Sequence, residues 1–189
     1  MIKIGILGDI GSGKSYVAQN FGYPVFNADN EVAKLYRTDK EIFKKLNKIL
    51  PKYFVSFPIE KKTVLYAILA NNNNLKKIVK VVHLEIRKKM NNFLQKHNKK
   101  KIIILDIPLL MENKINKKKD VLVYVDSKKS EILKRLKKRK NFSSKLLKKF
   151  QNIQLSPEYK KKKSHFIINN NFTKKSVKKG ISHILKEIL

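Results

Sequence analysis

The chain has 189 residues, 42% of them hydrophobic, no cysteine, and 45 basic against 14 acidic side chains, for a formal charge of +31. This composition excludes a disulfide framework, a thiolate nucleophile and a cysteine-ligated metal, and no apolar run approaches the roughly 20 residues of a membrane helix. The length suits one domain, or one core with a small inserted unit. Because Met1 leads straight into an apolar strand with no leader-like region, a cytoplasmic location and no membrane partner are the expectation.

Ile4-Gly5-Ile6-Leu7 reads as a buried strand, and Tyr16 to Phe21 can open a helix. Between them stands Gly8-Asp9-Ile10-Gly11-Ser12-Gly13-Lys14-Ser15. A glycine loop ending in Gly-Lys-Ser, set between a strand and a helix, is the context of a phosphate-binding P-loop. The glycines let several N–H groups converge on one anion, and the helix N-terminus adds partial positive charge. Gly11, Ser12, Gly13, Lys14 and Ser15, with Tyr16 adjoining, are therefore the candidate ATP cradle. Lys14 can reach the β- and γ-phosphates, and the Ser15 hydroxyl can ligate Mg²⁺.

Tyr23 to Asn27 reads as a second strand, ending at Ala28-Asp29. Ligands gather at the carboxyl ends of parallel strands. Asp29 is thus a candidate general base or metal or water ligand, and equally a candidate helix N-cap. Residues 30–97 are helical in pattern throughout, with stripes at Ile42, Phe43, Leu46, Ile49 and Leu50, and at Val64, Leu65, Ile68 and Leu69. Asn71 to Asn74 reads as a turn, and Ile78, Val82, Ile86, Phe93 and Leu94 mark a long helix. So large a helical block between strands reads as an inserted subdomain. On its long helix His83 and Arg87 share a face, as a substrate-holding pair or as an ordinary surface pair.

Ile102 to Leu105 forms a strand closed by Asp106, the position of a second Mg²⁺-handling carboxylate in P-loop proteins. Ile107 to Glu112 reads as a turn and a short helix. Val121 to Val125 and Phe166 to Ile168 are further strands, and Ile181, Ile184, Leu185 and Ile188 lie on a closing helix. Strands separated by helices give an α/β fold with about five parallel strands. The core comprises residues 1–29, 98–126 and 164–189.

Residues 127–163 form a basic excursion read as two short helices, with Ile132, Leu133 and Leu136 on one and Leu146, Leu147 and Phe150 on the other. Only four of the 45 basic residues are arginine: Arg37, Arg87, Arg135 and Arg139. In so lysine-rich a chain, a retained arginine points to a need for the planar fork that grips phosphate bidentately. Arg135 and Arg139 make the excursion a candidate lid over ATP; the alternative is a solvated basic hairpin. The remaining lysines are spread along the chain, as AT-rich coding would produce, so no specific nucleic-acid partner is expected.

Together these pieces resemble the dephospho-coenzyme A kinases. The family's glycine loop is matched by Gly8 to Ser15, and its Asp-Ala-Asp by Asn27-Ala28-Asp29. Its His-Pro-x-Ile-Arg is matched by His83 to Arg87, and its Pro-Leu-Leu-Phe-Glu by Pro108 to Glu112. The lid arginines resemble Arg135 and Arg139, the following glutamine Gln154, and the terminal Ile-x-Asn Ile168-Asn169-Asn170. The departures are Asp9, Tyr16, Asn27, Leu84 and Ser164-His165. The resemblance implies a P-loop NTPase core, a helical acceptor-binding subdomain at residues 30–97 and a lid at residues 127–163. It implies transfer of the ATP γ-phosphate to the ribose 3′-hydroxyl of dephospho-coenzyme A. Asp29, Lys14 and Arg139 would be catalytic; His83, Arg87, Pro108 and Leu109 would bind the acceptor. Ser15 and Asp106 would hold Mg²⁺, and Asn170 would lie near the adenine. Two rivals remain: another small-molecule or nucleotide kinase, and a basic nucleic-acid-binding P-loop ATPase.

Overall fold

The computed structural model describes residues 1–139 and 142–189, with Asn72 by its backbone alone. Five strands, β1 (Ile2–Gly8), β2 (Val25–Asn27), β3 (Ile102–Asp106), β4 (Val121–Asp126) and β5 (Phe166–Asn169), form a sheet in the order β2-β3-β1-β4-β5. All neighbouring pairs are parallel. Strands covered on both faces need apolar residues at successive positions, and Ile102 to Leu105 and Leu122 to Val125 are buried throughout.

The register brings the strand ends together. Asn27 lies opposite Asp106, Gly8 opposite Val125, and Asp126 opposite Asn169. One sheet face packs Ile4, Ile6, Ile104 and Val125 against α1 (Lys14–Asn20) and α9 (Lys174–Ile188), through Val17, Ala18, Val177, Ile181 and Ile184. Each of these valines and isoleucines contributes roughly 1.5–3 kcal/mol by leaving water. On the other face Gly5 makes room for Leu110: a Cβ at Gly5 would lie 2.5 Å from Leu110 Cδ2. That close approach seats the Pro108–Glu112 segment beside β1.

Residues 107–112 form turns and no helix. Leu109 takes a φ of 60°, a left-handed conformation that a helix cannot continue through. The basic excursion holds three helices where two were expected: α6 (Lys129–Lys137), α7 (Ser144–Gln151) and α8 (Pro157–Lys163). Helix α8 is capped by Ser156, whose hydroxyl accepts from the Tyr159 N–H, with Pro157 in its first turn. It lacks an apolar stripe, so periodicity does not reveal it. Ser143 caps α7, its hydroxyl accepting from the Leu146 N–H.

Residues Ala28–Lys96 make one compact unit, and Met1–Asn27 with His97–Leu189 make the other. The former contains α2 (Ala28–Thr38), α3 (Lys40–Ile49), α4 (Lys61–Ala70) and α5 (Asn72–Lys96). Leu35, Ile42, Leu46, Phe54, Ile68, Ile78 and Val82 are buried within it. The Asn71–Asn74 stretch is mostly helix rather than turn. Asn71 Oδ1 accepts from the Asn73 N–H, and Asn74 Nδ2 donates to the Ala67 carbonyl. Asparagines that bond to nearby backbone make good helix caps. Among the described residues no helix is long and apolar enough to cross a membrane.

Candidate active site

The glycine loop runs from the end of β1 into α1 and takes its shape from glycines with positive φ. Gly11 has φ 87° and Gly13 φ 92°, a region that side chains other than glycine disfavour. Neighbours press on both. A Cβ at Gly11 would meet Leu136 and Ile132 of α6 at 3.0 and 3.1 Å, and one at Gly13 would lie 2.6 Å from Asn170 Nδ2. Gly13→Ala is therefore expected to lower stability by about 1–3 kcal/mol and to weaken ATP binding. Thermal melting and nucleotide titration check this.

The loop is braced from behind. Asn170 is buried, and its Nδ2 donates to the Ser12 carbonyl at 2.8 Å while its Oδ1 accepts from the Phe172 N–H at 2.8 Å. Its side chain therefore supports the loop. The Ser127 hydroxyl donates to the same Ser12 carbonyl at 3.0 Å. The Arg135 guanidinium stacks 4.3 Å over the Phe172 ring, a cation–π contact that fixes the fork next to the loop brace. Arg139 lies just past the end of α6 and is exposed. Ser12 Oγ is buried without a hydrogen-bond partner among the described residues. An orphaned hydroxyl is costly, and within an anion-binding loop it is a donor in reserve.

Lys14 Nζ donates to the carbonyls of Gly8 and Asp9 at 3.0 and 2.8 Å, which holds the ammonium over the first half of the loop. It lines a small cavity together with Gly8, Pro108, Leu109, Gln154 and Lys160. Glu112, at the same cavity, accepts from the Leu155 N–H at 3.0 Å. The bond ties the Pro108–Glu112 turns to the joint between α7 and α8. Pro108 and Leu109 thus open onto the cavity that Lys14 reaches.

Asp106 is buried at the end of β3, and Asn27 Nδ2 donates to its Oδ2. An aspartate at position 27 would oppose a second carboxylate to this one in the register; the amide instead satisfies it. Ser15, the second residue of α1, is exposed. A hydroxyl and one strand-end carboxylate are an oxygen donor set of the kind Mg²⁺ accepts, since it usually keeps waters and phosphate oxygens as its other ligands. No three-residue His, Cys, Asp or Glu cage occurs among the described residues.

The helical unit holds the other candidates. Asp29 is exposed in the first turn of α2. His83 and Arg87 lie one turn apart on α5. His83 Nε2 is buried with no hydrogen-bond partner among the described residues. Burial, and then the Arg87 charge, lower the His83 pKa from the ordinary 6.5, which keeps the ring neutral at physiological pH.

Three features escaped the sequence. Tyr124, fully buried on β4, donates to Asp9 Oδ1 at 3.3 Å. Burial first, and the Asp9 charge second, raise its pKa, so the phenol stays a donor. Phe172 takes a φ of 64° beneath Arg135. Lys160 is 3% exposed and lies 3.7 Å from Asp9 Oδ1. No local signal separates Lys160 from the three lysines after it.

Comparison with known proteins agrees with this geometry. The family model described as dephospho-CoA kinase matches residues 2–176. A dephospho-CoA kinase of Wolbachia pipientis is 34% identical over 98% of this chain and 97% of its own length. The crystal structure of TT1252 from Thermus thermophilus superposes with a TM-score of 0.80 at 26% identity, covering 100% of this chain and 98% of that one. A dephospho-CoA kinase structure from Campylobacter jejuni shares the fold, with a TM-score of 0.62 at 23% identity over 98% and 96% of the two chains. A parallel five-stranded core with a braced phosphate loop, matched along nearly its whole length, makes this chain a member of the dephospho-CoA kinase family of transferases.

Proposed function

We propose that the chain transfers the γ-phosphate of ATP to the ribose 3′-hydroxyl of dephospho-coenzyme A, giving coenzyme A and ADP, with Mg²⁺ as the divalent ion. The observation that carries this reading is the dephospho-CoA kinase match over residues 2–176, which spans the glycine loop, the His83–Arg87 helix and the Pro108–Glu112 turns.

In this reading Asp29 accepts the proton of the attacking hydroxyl. The hydroxyl oxygen bonds to the γ-phosphorus as the bond to the β–γ bridging oxygen breaks, and ADP leaves. Such transfers require mainly positioning and charge neutralisation. Gly11, Ser12 and Gly13 direct N–H groups at the phosphates, and Lys14 neutralises the β and γ oxygens. Mg²⁺, when bound, neutralises phosphate charge further, with Ser15 and Asp106 as its protein oxygens. Tyr16 borders the loop, and Asn170 acts on ATP through it. Arg135 and Arg139 bring guanidinium charge to the phosphates from the 127–163 lid. His83 and Arg87, on the 30–97 subdomain, bind the acceptor, with Pro108 and Leu109 on the core side.

The test is ADP release with dephospho-coenzyme A, set against shikimate, nucleosides and single-stranded nucleic acid as alternative acceptors or activators. Selective turnover with dephospho-coenzyme A supports the reading, and a better acceptor in the panel removes it. Arg139→Lys is expected to lower turnover by about tenfold or more, since an ammonium cannot grip phosphate bidentately. Steady-state kinetics check this, and an unchanged rate would show that the fork is dispensable there.

A further inference from the structure

Lys160, which the phosphate-binding pattern does not include, is buried against the glycine loop. Its side chain is 4% exposed. An ammonium carries three donors, yet its contacts are few and long: Gln154 Oε1 at 3.4 Å and Asp9 Oδ1 at 3.7 Å. A buried cation needs close compensation. The nearest carboxylate, Asp9, also accepts from Tyr124 and is 29% exposed, so it shares its charge.

The direction of Lys160 is fixed by Lys14. Lys14 Nζ sits on the Gly8 and Asp9 carbonyls, Lys160 sits on the Asp9 carboxylate, and both side chains line the same cavity. In a phosphate loop the lysine reaches the β- and γ-phosphates. A second ammonium beside it therefore faces the terminal end of the phosphate chain.

We propose that Lys160 is a second phosphate-binding lysine, directed at the terminal phosphate of a bound nucleoside triphosphate, with Asp9 as its built-in counter-ion. This deepens the kinase reading and rests on it for the identity of the nucleotide. The Asp9 carboxylate compensates Lys160 and also repels incoming phosphate. Asp9 thus damps triphosphate affinity while keeping a buried cation tolerable. A purely structural Lys160, one that only pins α8 to the core, would affect stability without distinguishing one nucleotide from another.

Titration of the full chain with ATP and with ADP, each with Mg²⁺ and without acceptor, separates the two roles. Lys160→Met is expected to weaken ATP about tenfold, as befits loss of one hydrogen bond to a charged group, and to leave ADP almost unchanged. Asp9→Asn keeps the shape and an acceptor for Tyr124, and is expected to tighten ATP about threefold without affecting ADP. Because Asp9 is partly exposed, that variant stays informative if Lys160→Met folds poorly. Equal losses for ATP and ADP in Lys160→Met, or unchanged ATP affinity in Asp9→Asn, overturn the proposal. Wild-type transfer to dephospho-coenzyme A is measured separately. Its absence would remove the acceptor assignment but leave the ATP-over-ADP effect of Lys160 standing.

Discussion

Replacing Lys14 by alanine is expected to reduce phosphoryl transfer by about a thousandfold or more, the scale on which phosphate-clamping cations act in such reactions. The structure supplies the reason. Lys14 Nζ is already held at 3.0 and 2.8 Å from the Gly8 and Asp9 carbonyls, at the head of the loop. Little reorganisation separates that position from the β- and γ-oxygens of a nucleotide. Alanine removes the charge and the side-chain donor to the Gly8 and Asp9 carbonyls, the second of which keeps the Ser12 N–H. The chain should nevertheless fold, because Ser127 and Asn170 still hold Ser12 and the Val17 N–H still bonds to the Gly13 carbonyl. Circular dichroism and melting establish the fold, and a coupled ADP assay measures the loss. Turnover within tenfold of wild type would overturn the phosphate-loop assignment.

The second large effect is expected from Asp29→Asn. Asparagine keeps the size of the side chain and removes its basicity. Loss of a general base costs about 10²- to 10⁴-fold in rate. ATP affinity should change little, because the nucleotide is held by the loop of the other unit. Asp29 stands in the first turn of α2, where a negative charge favours the helix by about 0.3–1 kcal/mol. A slight fall in melting temperature is therefore expected, too small to explain the kinetic loss. Kinetics with saturating ATP, alongside ATP titration, separate the two effects. Near-normal turnover would leave Asp29 with the electrostatic role of a first-turn carboxylate in α2 alone.

The parts of the fold legible in the sequence are those in which one residue type does one local job. The buried strands read directly because a strand covered on both faces must be apolar at every position, as Ile102 to Leu105 are. The loop reads directly because its positive φ values demand glycine at positions 11 and 13. What stayed hidden depends on partners distant in sequence. Asn27 is visible as a departure from the family pattern, but its bond to Asp106 crosses 79 residues and needs the β2–β3 register. Lys160 is one lysine in a run of four, and only the packing of α8 buries it. Helix α8 carries no apolar stripe, and the turns at 107–112 pass through a left-handed leucine, Leu109, that no propensity favours. The asparagine run misled in the opposite direction, since residues that suit turns suit helix ends equally well.

The hydrogen bond from the Leu155 N–H to Glu112 has a thermodynamic corollary. It joins the turns after β3, which carry Pro108 and Leu109, to the joint between α7 and α8 in one hydrogen-bonded element. A ligand that biases one end of such an element biases the other, and linkage makes the bias equal in both directions. In the kinase reading, the share of ATP binding free energy coupled through this element appears as acceptor affinity, and the acceptor returns the same amount to ATP. Synergy between the two substrates would then depend on this bond as well as on the groups that touch each of them.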